Sequence, residues 1–347
     1  NEIFSQEWLQ EFGSDVAGCA GQATDPYEWR NAGYGSNMNH VVLQWIKAVM
    51  EGRTDLAVIV NTEDFFPRTT CSTASNGVIT GRGWSCIFAP VPHLCAFNTK
   101  QEWIDFNRQR GISAIEEAAA DERFPLVYIR NRATSISDSL SMAGLDYFAA
   151  AASMYEYLHT YLQPWFKADV EAILREPTIA AVREEPYVSM HIRRADKIIY
   201  DGATKSETET YFENVARFLE ASPEGLSAND IKGLWLSTDG MRALDEVKAL
   251  VPKFFPNVRP ESIISITDRV AVRLMKPGQF VEGTQDRNTY EATVLLRAEM
   301  EMMAGANVFS GTFSSNISRI IALMRHSIGK PRESALSADV PVWFPAL

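Results

Sequence analysis

From Tyr187 onward the chain alternates short apolar runs with amphipathic stretches, and this rhythm constrains the fold more than any other feature. Apolar runs at 187–192, 232–237, 262–266 and 307–310 read as strands. The stretches 208–221, 240–251, 287–304 and 315–327 read as helices. Strands alternating with helices predict a doubly wound α/β sheet. In such a sheet ligands collect at the carboxyl ends of the strands, so the residues closing each run matter most.

The first run ends most abruptly. Within VSMHIRRADKIIYD (188–201) the apolar stretch gives way to His191, Arg193, Arg194, Asp196 and Lys197. Two guanidinium forks and an ammonium at a strand end make an anion clamp, above all for phosphate, whose oxygens the forks match in pairs. A surface salt-bridge cluster is the alternative. The second run leads into Ser237-Thr238-Asp239-Gly240, where Asp239 stands at a strand–helix junction and can cap the helix. The last leads into Gly311-Thr312-Phe313-Ser314-Ser315, a hydroxyl-rich loop suited to an anion or a ribose, and equally to capping. On the helix 287–304, Glu299 falls within the apolar stripe of Ala292, Leu295, Leu296 and Met303. A carboxylate there needs partners, and the N1 and N2 edge of a guanine or a structural arginine would serve.

The first half is less regular. Residues 1–32 are mixed and partly helical, with a turn-prone TDPYEW segment. Gly33-Tyr34-Gly35 predicts a tight loop, with Ser36 or Asn37 capping a helix whose apolar face is Val41, Val42, Trp45, Ile46 and Val49. Such a loop offers N–H groups to an anion, or is simply a structural turn. A strand follows at Leu56 to Val60. Residues 62–100 read as loop and short hairpin with a turn at Asn76-Gly77. Residues 101–121 read as helical, 126–129 as a strand, and 143–176 as helical with an interruption near Pro164. The domain boundary is expected between 165 and 186, giving domains 1–180 and 181–347.

Composition excludes several classes. With 33 Lys and Arg against 44 Asp and Glu, the net charge of −11 argues against a nucleic-acid groove and against an anionic membrane surface. No apolar run is long enough to span a bilayer; Met142 to Met154 is the richest, and it carries Asp146. The chain begins at Asn1 without a signal peptide, so a trimmed form of a longer protein is expected. Any membrane attachment would then lie in a segment absent from this chain. Cys19, Cys71, Cys86 and Cys95 show no C-x-x-C spacing and the histidines are scattered, which weighs against zinc. An even number in one loop-rich region suggests two disulfides and an oxidising compartment, with free cytosolic thiols as the alternative. A Cys71–Cys86 bridge would contribute about 3 kcal/mol. The P-loop, G-x-S-x-G and D-x-D motifs are absent from the sequence. A diphosphate site built without a metal relies on cations, and Arg193 and Lys197 could supply them.

Taken together, GYGSNMNHVV (33–42), GWSCIFAPVPHLC (83–95), Pro164-Trp165, HIRRADK (191–197), STD (237–239) and TFSSNISR (312–319) resemble the α1,6-fucosyltransferase family. That family comprises the core-fucosylating enzymes of N-glycans and the rhizobial nodulation fucosyltransferases. The stretches fall in the family's order, across roughly residues 19 to 327. The resemblance implies a GT-B-like enzyme: an open α/β N-terminal domain and a Rossmann-type C-terminal domain binding GDP-β-L-fucose, inverting and metal-independent. It implies Arg193 on the β-phosphate, with Arg194 beside it and the N–H groups of Gly35 and Ser36 assisting. His191 and Glu299 would read the guanine, and Ser314, Ser315 and Asp239 would line the donor pocket. Lys197 and Asp201 would handle the acceptor hydroxyl, with Glu207 or Glu209 as alternative bases. Arg30, Tyr211 and Asn316 would contact the acceptor. It further implies a Cys19–Cys95 disulfide, Cys71–Cys86 being a local addition. Expected partners are GDP-fucose and an oligosaccharide or glycoprotein acceptor, with a homodimer compatible and the Golgi lumen as the compartment. Nothing after residue 327 resembles the Src-homology-type β-barrel of the animal enzymes. A different acceptor, or a non-catalytic glycan-binding relative, is therefore the alternative.

Overall fold

The computed structural model describes residues 26–28, 34–50, 56–59, 71–73, 77–79, 84–89, 91, 94–97, 101, 105, 108–109, 146–194, 206–221, 225–240, 242–267 and 290–340. The chain divides into two units. The first comprises residues 1–167 with 288–290 and 347, and the second comprises 168–287 with 291–346.

In the first unit, strands β1 (Pro26–Glu28), β2 (Leu56–Ile59) and β5 (Leu94–Phe97) form a parallel sheet in the order β1-β2-β5. A strand therefore occupies the segment that reads as a turn in the sequence: Tyr27 pairs in register with Val58, and tertiary pairing overrides the local Asp-Pro signal. Helix α1 (Tyr34–Met50) buries Met38, Val41, Val42, Leu43, Trp45, Ile46 and Ala48. Because it begins at Tyr34, Gly35 and Ser36 lie in its first turn rather than in a preceding loop. Ser36 and Asn37 are therefore not its cap. Their N–H groups still belong to the first four of the helix, which have no partner within it. Strands β3 (Cys71–Thr73) and β4 (Gly77–Ile79) form the expected hairpin, antiparallel with Cys71 opposite Ile79.

Helix α2 (Trp84–Ile87) lies in the GWSCIFAP stretch and is tied to the Pro164-Trp165 motif. The Trp165 indole N–H donates to the Cys86 carbonyl at 3.1 Å, and the Gln163 N–H donates to the Ile87 carbonyl at 2.8 Å. Cys86 is buried and disulfide-bonded. Helix α3 (Tyr147–Thr160) starts under Asp146, whose Oδ1 accepts the Phe148 N–H at 2.9 Å. Pro164 opens helix α4 (Pro164–Leu174) instead of kinking α3, as suits a residue with no N–H to leave unpaired. Trp45 of α1 meets Tyr157 of α3 edge to face, with centroids 5.7 Å apart.

The second unit carries the predicted rhythm. After helix α5 (Pro177–Arg183) come β6 (Tyr187–Ile192), helix α6 (Thr208–Ala221), β7 (Gly233–Thr238), helix α7 (Ala243–Phe254) and β8 (Ile263–Ile264). Helix α8 (Tyr290–Gly305), β9 (Val308–Gly311), helix α9 (Asn316–Ser327) and β10 (Ala335–Ser337) complete it. All five strands are parallel, in the order β10-β9-β6-β7-β8. The sheet thus has the α/β, Rossmann-type character that the sequence predicts. Strand β10 is an addition to that reading: three residues pairing at an edge are too few to show a period.

The centre strand β6 is buried along its whole length, as a parallel strand covered on both faces must be. Its faces differ. Val188, Met190 and Ile192 join Leu234, Leu236, Phe212, Val215, Val247 and Val251 in the core beneath α6 and α7. Burying each such side chain stabilises by about 1.5–3 kcal/mol. The alternate residues Ser189 and His191 make polar contacts with the segments on the other side. Ser189 Oγ donates to the Met303 carbonyl at 3.1 Å.

Candidate functional site

The strand order places a switch point between β6 and β9. The chain steps from β6 outward to β7 and β8, then returns to the other side of β6 for β9 and β10. At such a point the connections leave in opposite directions and open a crevice at the carboxyl ends of the two strands. His191, Arg193 and the 311–315 loop lie there.

Arg193 is held from both sides of the crevice. Its N–H donates to Thr312 Oγ1 at 3.1 Å, across the switch point. Its Nε stands 3.1 Å from Asp239 Oδ2, at the end of β7. The other oxygen of Asp239 accepts the Arg194 N–H at 2.7 Å. The cap position of α7 belongs to Arg242, so Asp239 serves the turn after β6, not the helix to which its sequence position assigned it. The Arg193 side chain remains 27% exposed, so it can meet a ligand.

The two neighbouring arginines have different fates. Arg194 is 12% exposed; its Nη1 lies 2.7 Å from Glu246 Oε2 on α7, and its Nη2 donates to Thr208 Oγ1, which in turn donates to Glu246. This triad pins the turn to the starts of α6 and α7. Arg194 is thus a brace in this structure, while Arg193 keeps a part-exposed side chain.

Thr312 is the hub that the sequence did not reveal. Besides accepting from Arg193, its hydroxyl donates to the His191 carbonyl at 3.1 Å and shares a 2.6 Å hydrogen bond with the Tyr211 phenol. Tyr211 is 1% exposed, and burial pushes its phenol up to about 12. It is a buried residue of α6, turned toward the Thr312 hydroxyl. His191 Nδ1 lies 2.6 Å from Ser318 Oγ on α9. Gly311 makes this approach possible: a Cβ there would stand 2.7 Å from Ser318 Oγ and 2.5 Å from the Phe309 ring.

Glu299 is 0% exposed, and its carboxylate accepts hydrogen bonds from Thr267 Oγ1 at 3.0 Å and Ser237 Oγ at 3.2 Å. These two hydrogen bonds tie α8 to the end of β7 and to Thr267 after β8.

The loop before α9 is arranged around a carboxylate from further along the chain. Asp339 accepts the Phe313 N–H at 2.6 Å and the Ser314 N–H at 3.1 Å. Those two donors are therefore engaged internally. The Ser314 hydroxyl is buried with no hydrogen-bond partner among the described residues, so it has capacity left for a ligand. Ser315 occupies the cap position of α9 without a side-chain cap bond, and Asn316 is half-buried at the start of that helix. Glu209 pairs with Lys253 of α7, and Glu207 is exposed. Arg30, Lys197, Asp201 and Cys19 lie outside the described residues, as do the side chains of Ser36, Cys71 and Cys95. Among the described residues there is no cluster of metal-ligating side chains, and no helix is long and apolar enough to cross a membrane.

No family model matches the chain, and no curated protein matches it. Solved structures do overlap it. The fucosyltransferase NodZ from Bradyrhizobium is 14% identical, with a TM-score of 0.47, covering 86% of this chain and 91% of its own. The NodZ alpha-1,6-fucosyltransferase soaked with GDP-fucose gives 14% identity and a TM-score of 0.46 over the same shares. A variant of Arabidopsis thaliana FUT1 in complex with GDP is 9% identical with a TM-score of 0.42, covering 91% of this chain and 71% of its own. TM-scores and identities this low assign neither fold nor activity.

Proposed function

We propose that this chain is a glycosyltransferase that moves fucose from GDP-β-L-fucose to a sugar hydroxyl, with inversion and without a metal. The observation that carries the reading is the seating of Arg193 at the switch point, part-exposed and fixed by Thr312 on one side and Asp239 on the other. The motif set of the sequence, in its order, supplies the donor and the reaction class. In this reading Arg193 binds the β-phosphate, and Ser314 and Ser315 line the same pocket. Gly35 and Ser36 would contribute their N–H groups, and His191 would border the base.

The acceptor oxygen attacks the anomeric carbon while the bond from that carbon to the β-phosphate oxygen breaks. The electron pair leaves with GDP, whose growing charge Arg193 offsets. Asp201, charge-balanced by Lys197, takes the acceptor proton as general base. Arg30 and Asn316 are assigned to the acceptor, which we take to be a GlcNAc of an N-glycan core or a chitooligosaccharide, joined α1,6. The disulfides Cys19–Cys95 and Cys71–Cys86, and a Golgi setting, complete the reading.

The test is a transfer assay with GDP-fucose on N-glycans, chitooligosaccharides and peptides, with linkage analysis of the product. Calorimetric titration with GDP, UDP and ADP checks the nucleotide. Equal affinity for all three would remove guanine from the proposal. Activity that disappears with a chelator would remove the metal-free mechanism.

A further inference from the structure

We propose that Asp339 is a positioning residue for the Arg193 clamp. The inference rests on the donor-site reading above and concerns a residue to which that reading gives no role. Asp339 does not face the crevice as a lone charge. It binds two successive backbone N–H groups, those of Phe313 and Ser314, in the loop that closes the switch point. Donors just before a helix have no partner within it, and a carboxylate is the strongest acceptor a protein can offer them.

The segment carrying Asp339 is itself fixed. Ser337 pairs with Gly311 in the sheet, and the Ala338 N–H donates to the Gly311 carbonyl at 3.0 Å. From α6, Asn214 Nδ2 donates to the Ser337 carbonyl at 3.0 Å; Ser206 Oγ, just before that helix, donates to the Ala338 carbonyl at 2.8 Å. Ser337 Oγ and the Val340 N–H also donate to Asp339 Oδ1, at 3.2 and 3.0 Å. The carboxylate is thus anchored before it grips the loop.

The grip is transmitted to Arg193 in two steps. Phe313 is held at its N–H by Asp339 and at its carbonyl by Arg319 Nε, at 2.7 Å. That fixes the peptide next to Thr312, whose hydroxyl accepts the Arg193 N–H. Without the carboxylate the two loop donors would turn toward water, Thr312 would follow, and the Arg193 backbone would lose its acceptor across the switch point.

Asp339→Asn tests this, because it keeps the shape and one acceptor oxygen while replacing the other with a donor. Asp339→Ala is the second variant. Two readouts are taken on each: GDP affinity by calorimetry, with the stoichiometry reporting the competent fraction, and amide hydrogen exchange at Phe313, Ser314 and Arg193. We expect GDP to bind about tenfold more weakly at unchanged stoichiometry, with exchange accelerated at all three amides. Faster exchange at Phe313 and Ser314 but not at Arg193 would overturn the inference, leaving Asp339 a local loop brace. Unchanged GDP affinity would overturn it as well. Tighter binding would do the same, since the carboxylate would then be competing with the diphosphate for the loop. If the parent protein binds no GDP, the donor reading falls, and exchange at Arg193 decides the positioning role alone.

Discussion

The two ends of the second sheet each hold an arginine and a buried tyrosine, and they use them differently. At the amino end, Arg325 is 1% exposed and spends its guanidinium on neutral acceptors. Its Nη1 donates to the carbonyls of Ala304 and Ala306 at 3.1 and 2.6 Å, and its Nη2 donates to the Asn307 carbonyl and Ser334 Oγ at 3.0 and 2.6 Å. These are the carbonyls left over where α8 ends, so Arg325 caps that helix and ties it to β9. Beside it, the Tyr187 phenol donates to the Met302 carbonyl at 2.7 Å. At the carboxyl end, Arg193 keeps a part-exposed side chain beside a carboxylate, and Tyr211 supports it through Thr312. A cation wrapped in carbonyls and shut from water is a structural element. One aimed by a carboxylate and open to solvent can bind an anion. Location relative to the strand ends, and not residue type, separates the two.

The largest expected effect breaks the carboxyl end. Arg193→Ala should lower fucosyl transfer by about 10²–10³-fold while the melting temperature stays near that of the parent. Near-normal turnover would end the clamp assignment. Next, at the amino end, Arg325→Met should cost about 3 kcal/mol or more in chemical denaturation, because several buried carbonyls lose their donor together. GDP affinity per folded molecule should hold. Burial lowers the Arg325 pKa only to about 10, so the group is charged throughout the neutral range and the variant removes a charge as well as the donors.

The tyrosines sharpen the comparison by pH. Burial is the main cause that raises both phenols to about 12, so the folded state holds these protons more tightly than the unfolded chain, whose tyrosines titrate near 10. The stability they contribute is fully present below about pH 10 and is lost as pH climbs through about 12. Spectrophotometric titration of Tyr187→Phe and Tyr211→Phe should each remove one late-titrating phenol, at about 1 kcal/mol of neutral-pH stability. The smallest effect is a control. Glu209→Gln, at a surface pair with Lys253, should change stability by less than about 1 kcal/mol and leave transfer near the parent rate. A large loss of transfer would return Glu209 to the list of bases.

Legibility followed the reach of each signal. The periods of β6 and α6 are visible because both are local patterns of apolar residues, and the structure starts and ends them where the sequence does. The same logic marked 191–194 as a strand end. Glu299 was recognisable as an anomaly on an apolar stripe, but its hydroxyl partners lie 62 and 32 residues away in the chain. Arg193 and Arg194 are indistinguishable as neighbours in a motif. Only Glu246 and Asp239, from two other elements, assign one to bracing and the other to the crevice. Asp339 follows a three-residue edge strand that carries no period, so its grip on the 313–314 loop left no trace in the pattern.

The sequence by itself determined the α/β alternation, the strand ends to watch and the basic cluster at one of them, because periodicity and composition act over a few residues. Tertiary structure decided the strand order, and with it the switch point between β6 and β9. It decided which cation stays open, and that Thr312 and Asp339 hold it there. Those outcomes depend on hydrogen bonds between groups far apart in the chain, and such bonds form only when the sheet brings their strands together.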